Sequence, residues 1–187
     1  IPGVGERIAQ VGTGAPPSVP DAQVVDAGGS LVTPGLVDAH THLIFGGWRQ
    51  NELGMKPHGK SYLEIQNAGG GIQSTTNATR QATEEELAAK AAKALDEMMR
   101  FGTTTCEAKS GYGLSLEHEL KQLRAIRRLQ EEHPMDVAAT FMGAHLVPAE
   151  YKQNRAEYIR LVCEEMMPAV KEQGIAKYCD VFCEADT

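Results

Sequence analysis

The chain has 187 residues, 42% of them hydrophobic and 23% charged, a composition that suits a folded globular protein of one domain plus a small appendage. Its net charge is -7 with no cluster of Lys or Arg, which argues against nucleic acid as a partner. No apolar run reaches the roughly 18–20 residues that cross a bilayer, and the first residues lack the basic start and apolar core of a signal peptide. A cytoplasmic protein without membrane partners is expected. The four cysteines, Cys106, Cys163, Cys179 and Cys183, form no C-x-x-C pair, and buried reduced thiols are expected of them in preference to disulfides or zinc.

In chain order, Arg7 to Gly12 and Ala22 to Asp26 read as short strands, separated by a Gly/Pro/Ser-rich loop from Gly12 to Pro20. Thirty residues cannot bury a core by themselves, so these strands must pair with something else, either later chain or another domain. Leu36 to His40 reads as a buried strand. A long loop from Gly46 to about Ala82 follows, and a loop of that length is usually functional.

Thr83 opens a helix: Glu86 completes a capping box, and Leu87, Ala91, Leu95 and Met98 form one apolar stripe up to Gly102. Thr103 to Ala108 is the next strand, with Ser110-Gly111-Tyr112-Gly113 as its exit loop. A helix over about Leu116 to Glu132 follows, with Leu116, Leu120, Leu123 and Leu129 on one face and Pro134 as the stop. Val137 to Met142 is a third strand leading to Gly143-Ala144-His145. Arg155 to Gln173 is a third helix, which Pro168 should kink or break. Tyr178 to Phe182 is a fourth strand.

This alternation points to a parallel sheet with helices outside it. A doubly wound sheet and a (β/α)8 barrel both fit. His40/His42, Glu107/Lys109, His145 and Glu184 all fall at or just past C-terminal strand ends, which is where barrels gather reactive groups. No glycine-rich phosphate turn follows the first strand. The expected fold is therefore α/β, a partial TIM-type barrel of about four strands over residues 34–187.

The sharpest chemical feature is His40-Thr41-His42. Alternate residues of a strand share a face, so both imidazoles should point the same way and can serve one divalent metal ion. Alone, an H-x-H pair is weak; at the end of an apolar strand after Pro34-Gly35 it points to a metal.

The run from Pro34 to His42 is similar to the first-strand signature of the amidohydrolase superfamily. Phe45-Gly46-Gly47-Trp48-Arg49, Lys60-Ser61-Tyr62 and Ala68-Gly69-Gly70-Gly71-Ile72 narrow the resemblance. So do Glu107 to Leu114, Gly143-Ala144-His145 and Asp180 to Glu184. Together they resemble the imidazolonepropionase family from about residue 5 onward.

That resemblance implies hydrolysis of 4-imidazolone-5-propanoate to N-formimidoyl-L-glutamate with one zinc or iron ion, and a small β-sandwich domain of which residues 1–33 are part. It implies that His40 and His42 are metal ligands and that Arg49, Tyr112 and His145 contact substrate, with Tyr62 a weaker candidate. A guanidinium suits a propanoate carboxylate, since its planar fork can pair both oxygens. Further ligands, a histidine and an aspartate, come from later strands in that family, as do the water-activating groups. No catalytic residue is therefore assigned within this chain. A homodimer is expected of the full-length protein. Another amidohydrolase, such as a deaminase or cyclic-amide hydrolase, and a non-catalytic metal- or ligand-binding remnant remain as alternatives.

Overall fold

The computed structural model describes residues 3–4, 7–15, 17–50 and 71–183. Contacts divide the chain into two compact units, Ile1–Pro34 and Gly35–Thr187. The first contains strands β1 (Gly3–Val4) and β2 (Arg7–Ile8), paired antiparallel. The run expected to extend to Gly12 stops at Ile8, and Ala22 to Asp26 is not a strand. Val24 and Val25 are 83% and 81% exposed. A strand-like run becomes a strand only where a partner takes up its backbone groups.

The second unit runs β3 (Leu36–Asp38), α1 (Gly71–Gln81), α2 (Glu84–Arg100), β4 (Thr103–Lys109), α3 (Leu116–Glu132) and β5 (Asp136–Ala144). A short 3-10 turn at Ala149–Tyr151 leads to α4 (Arg155–Leu161), a π-helical turn over Val162–Met166, α5 (Met167–Gln173) and β6 (Tyr178–Val181). The four strands form one parallel sheet in the order β3-β4-β5-β6. Spatial order equals chain order. With right-handed crossovers this puts every connecting helix on the same face, whereas a doubly wound sheet reverses direction partway. The core between sheet and helices is built from Leu87, Leu95, Leu123, Ile126, Phe141 and Met166, among others.

Local signals explain most of these elements. Thr83 caps α2 with its side chain accepting from the Glu86 N–H at 3.2 Å, while Glu86 accepts from the Thr83 N–H at 2.9 Å. Leu87, Ala91 and Leu95 are buried as their stripe requires. Helix α1 corrects the expectation of an unbroken loop from Gly46 to Ala82. Its buried face consists of Gly71, Thr75, Thr76 and Thr79 instead of aliphatics. The hydroxyls of Thr76 and Thr79 donate back to the carbonyls of Ile72 and Thr75 at 3.1 and 2.7 Å, so they can be buried without an unmet donor. The break expected at Pro168 takes the form of a π-helical turn between α4 and α5, and the helical run continues past it to Gln173. The preceding turn widens to π, with the Met167 N–H reaching Val162 O, which makes room for a residue that lacks its own N–H.

Both sheet edges carry exposed apolar side chains: Leu36 and Val37 on β3, Tyr178 and Val181 on β6. Of the cysteines, all free, only Cys106 is buried; Cys163, Cys179 and Cys183 are exposed, Cys179 because β6 is an edge with one neighbour. Among the described residues no helix is long and apolar enough to cross a membrane.

Candidate active site at the strand ends

The regular strand β3 ends at Asp38, but backbone pairing carries the chain further. The Lys109 N–H donates to Thr41 O at 3.0 Å, and the Thr41 hydroxyl donates to Glu107 O at 2.5 Å. These bonds hold His40-Thr41-His42 beside the end of β4. The two imidazoles lie 5.8 Å apart, edge to face. His40 is exposed and His42 half-buried.

Two rings from other strand ends complete a cluster. His145, just past β5, stacks on His42 at 4.8 Å with 17° between the planes. Tyr112, from the loop after β4, lies 5.2 Å from His42 and 5.1 Å from His145. Phe45 and Phe182 pack edgewise on Tyr112 and His145, each at 6.3 Å. Successive parallel strands thus deliver His42, Tyr112 and His145 to one place.

The hydrogen bonds fix the state of His145. Its Nδ1 lies 2.8 Å from Gly111 O. A carbonyl only accepts, so Nδ1 carries the hydrogen and the neutral ring has its lone pair on Nε2. Burial lowers the pKa of His145 against opposing pulls from the Gly111 bond and Asp180. His42 is lowered further, to about 4, by burial first and then by repulsion from His145, His40 and Lys109. It is a neutral imidazole at pH 7, the form that binds metals. Its buried Nδ1 has no hydrogen-bond partner among the described residues. That orphaned nitrogen beside a second imidazole fits two places of a metal shell. Among the described residues no group of three or more His, Cys, Asp or Glu could hold an ion.

Near these rings a charge network crosses the sheet. Lys109 is 3% exposed, and its Nζ lies 2.8 Å from both oxygens of Glu107 and 2.7 Å from Asp180 on β6. Thr140 on β5 donates to Glu107 at 2.6 Å. Burial pulls the Lys109 pKa down, but its bonds to Asp180 and Glu107 outweigh that and raise it. The bond from Lys109 and the Val181 N–H hold Asp180 below the usual carboxylate range. In sequence, Glu107 and Lys109 stand out as a pair at the end of one strand; Asp180, the third charge, carries no local signal.

Arg49 sits half-buried on the arm after His42. Lys90 of α2 anchors that arm by donating to Phe45 O and Gly47 O at 3.0 and 2.5 Å, with its ammonium over the Phe45 and Trp48 rings at 3.3 and 4.0 Å. Tyr62 and Glu184 lie outside the described residues. His133 accepts from the Met135 N–H and pairs with Asp96 at 3.3 Å, closing the end of α3.

Comparison with known proteins adds to this geometry. Residues 23–67, which include the H-x-H run, match the amidohydrolase family. The chain is 55% identical over 184 residues to the imidazolonepropionase of Alkaliphilus oremlandii, covering 96% of this chain and 44% of that protein. It is 55% identical over 164 residues to that of Geobacillus kaustophilus and 56% over 164 residues to that of Brevibacillus brevis, each covering 88% of this chain and 39% of the relative. The chain thus spans less than half the length of these relatives.

Proposed function

The chain is homologous to the N-terminal part of the imidazolonepropionases, and from that premise we propose that it forms the first half of a metal-dependent amidohydrolase opening the ring of 4-imidazolone-5-propanoate to N-formimidoyl-L-glutamate. In this reading the four in-order parallel strands are half of a (β/α)8 barrel, and the exposed edges of β3 and β6 receive the remaining strands. Residues 1–33 belong to a small β domain and 34–187 to the barrel.

His40 and His42 would hold one zinc or iron ion, completed by ligands from the rest of the protein. Such an ion lowers the pKa of water and polarises a carbonyl. The reaction adds water across the ring's C–N amide bond: hydroxyl goes to the carbonyl carbon and the released nitrogen takes the proton. The chain's own residues orient the ring for this. With Nδ1–H committed to Gly111 O, His145 presents Nε2 as an acceptor for a ring N–H. Tyr112 lies against both His42 and His145 and brings its phenol beside them. Arg49 pairs the propanoate carboxylate with its planar fork.

The observation that carries the reading is the convergence of His42, Tyr112 and His145 from three strand ends. The test uses the chain joined to the remaining length of the Alkaliphilus oremlandii relative, hereafter the completed chain. Offered 4-imidazolone-5-propanoate, other cyclic amides and aminated rings, it should open the imidazolone fastest and yield N-formimidoyl-L-glutamate. Faster turnover of a different ring would overturn the substrate assignment.

A further inference from the structure

The loop carrying Tyr112 is held by groups that the proposed chemistry does not use. Glu119, in the first turn of α3, is fully buried. Its carboxylate accepts three backbone N–H groups: Gly111 at 3.0 Å, Gly113 at 2.9 Å and Leu114 at 2.7 Å. The remaining N–H of the stretch, that of Tyr112, donates to Gln122 Oε1 at 3.2 Å one helical turn on. Gln122 is buried too, and its Nε2 donates to Ile44 O at 2.6 Å on the arm after His42. One side chain therefore ties the Tyr112 loop to the arm that follows the H-x-H run.

The carbonyls of the loop are fixed as well. Gly111 O accepts from His145, and Gly113 O and Leu114 O accept from Arg80 at 2.7 and 3.1 Å.

The backbone so held is strained. Leu114 has φ +51 and Gly111 φ +104. A Cβ on Gly111 would lie 2.9 Å from Met142 O, so no other residue fits there. A buried carboxylate and a left-handed leucine both cost stability, and such costs gather where a site must be held in one geometry.

We propose that Glu119 and Gln122 are positioning residues that fix Tyr112 against the His42–His145 stack, with Gln122 coupling the Tyr112 loop to the H-x-H arm. The amide orientation of Gln122 follows from its partners, since a carbonyl needs the NH2 and an N–H needs the oxygen. Glu119→Gln keeps the shape but turns an NH2 toward at least one of the three N–H groups. Gln122→Glu keeps the acceptor for Tyr112 and sets a carboxylate against Ile44 O. The kinetic consequence rests on the proposed function; the structural one does not.

The test uses the completed chain with 13C-labelled tyrosine, the Tyr112 resonances being identified by Tyr112→Phe. Packed against two imidazoles, the Tyr112 ring protons should show ring-current shifts, and Glu119→Gln should move them toward random-coil positions. kcat/KM should fall about tenfold or more, and the fall should vanish in a Tyr112→Phe background, because a misplaced hydroxyl cannot matter once it is gone. Should Glu119→Gln fail to fold, Gln122→Glu carries the same three readouts. Unmoved Tyr112 resonances in a folded variant, or losses that multiply with Tyr112→Phe, would overturn the positioning role. An unsubstituted completed chain that turns over no imidazolone would refute the proposed function instead, while the ring shifts still decide the positioning.

Discussion

Lys109→Met should destabilise the protein by about 3 kcal/mol without changing its fold. The side chain is replaced by one of similar length, so the loss is electrostatic. Lys109 serves two carboxylates of unequal burial: the Glu107 side chain is 16% exposed and that of Asp180 39%. The half-open Asp180 pair is screened by water and contributes at most about 1 kcal/mol. Most of the loss comes from Glu107, left buried without its cation; breaking such a pair costs about 3–5 kcal/mol. The Thr140 hydroxyl stays bonded to Glu107 and keeps the loss near the lower bound.

The pH dependence follows from the two shifts. Asp180 is lowered in the folded state, so its contribution is present above the unfolded pKa of about 3.9 and lost as pH falls through the folded value. Lys109 is raised, so its contribution is present below about 10.4 and lost as pH rises through the folded value. The gap between wild type and variant should be flat from about pH 5 to 9 and shrink in acid. Urea unfolding of the completed chain, followed by circular dichroism, measures it. Neutralising the partners in Glu107→Gln/Lys109→Met/Asp180→Asn should recover most of the loss. A single-variant loss below about 1 kcal/mol, or a triple variant as unstable as the single one, would refute the reasoning.

His40→Ala together with His42→Ala should remove the metal from the completed chain, as elemental analysis would show; full occupancy would remove both residues from the shell. Arg49→Lys keeps the charge but loses the fork, so kcat/KM for the propanoate substrate should fall about tenfold, from a charge-assisted contact worth roughly 1.5–3 kcal/mol; an unchanged value in Arg49→Ala would reject the contact. In the chain of 187 residues, burial raises the Cys106 thiol to about 11, and burial with the nearby Asp180 and Cys163 raises that of Cys179, so a thiol reagent at pH 8 should modify the exposed Cys163 and Cys183 quickly, Cys179 more slowly and Cys106 only on unfolding. Rapid loss of all four thiols would contradict the buried position of β4.

The elements legible in sequence are those whose signals are local. The capping box at Thr83, the stripe Leu87-Ala91-Leu95 and the bounds of α3 need no knowledge of the rest of the chain. Helix α1 was hidden because threonines do the burying there, and β-branched polar residues read as loop until their hydroxyls are seen to bond within the helix. The strand expected at Ala22 to Asp26 shows the reverse, a short apolar run with no ladder partner among the described residues.

In the site, His40 and His42 stand out by their spacing, and His145 by its family resemblance more than by its place after a strand. Asp180 does not, since only the parallel register of β4, β5 and β6 brings it to Lys109, 71 residues away. Glu119 reads as an ordinary solvated helix charge. Its burial makes sense only once the N–H groups of the Tyr112 loop are seen to converge on it.

The most direct test of the account compares two proteins, residues 1–187 alone and the completed chain, each supplied with zinc or iron and 4-imidazolone-5-propanoate. Two histidines fill only part of a coordination shell, and in the proposed reading the groups that activate water come from the remainder. The 187-residue chain should bind metal weakly and open no ring, and the completed chain should bind one ion and turn over substrate. Turnover by residues 1–187 near the rate of the completed chain would contradict the assignment of this chain as half of an active site.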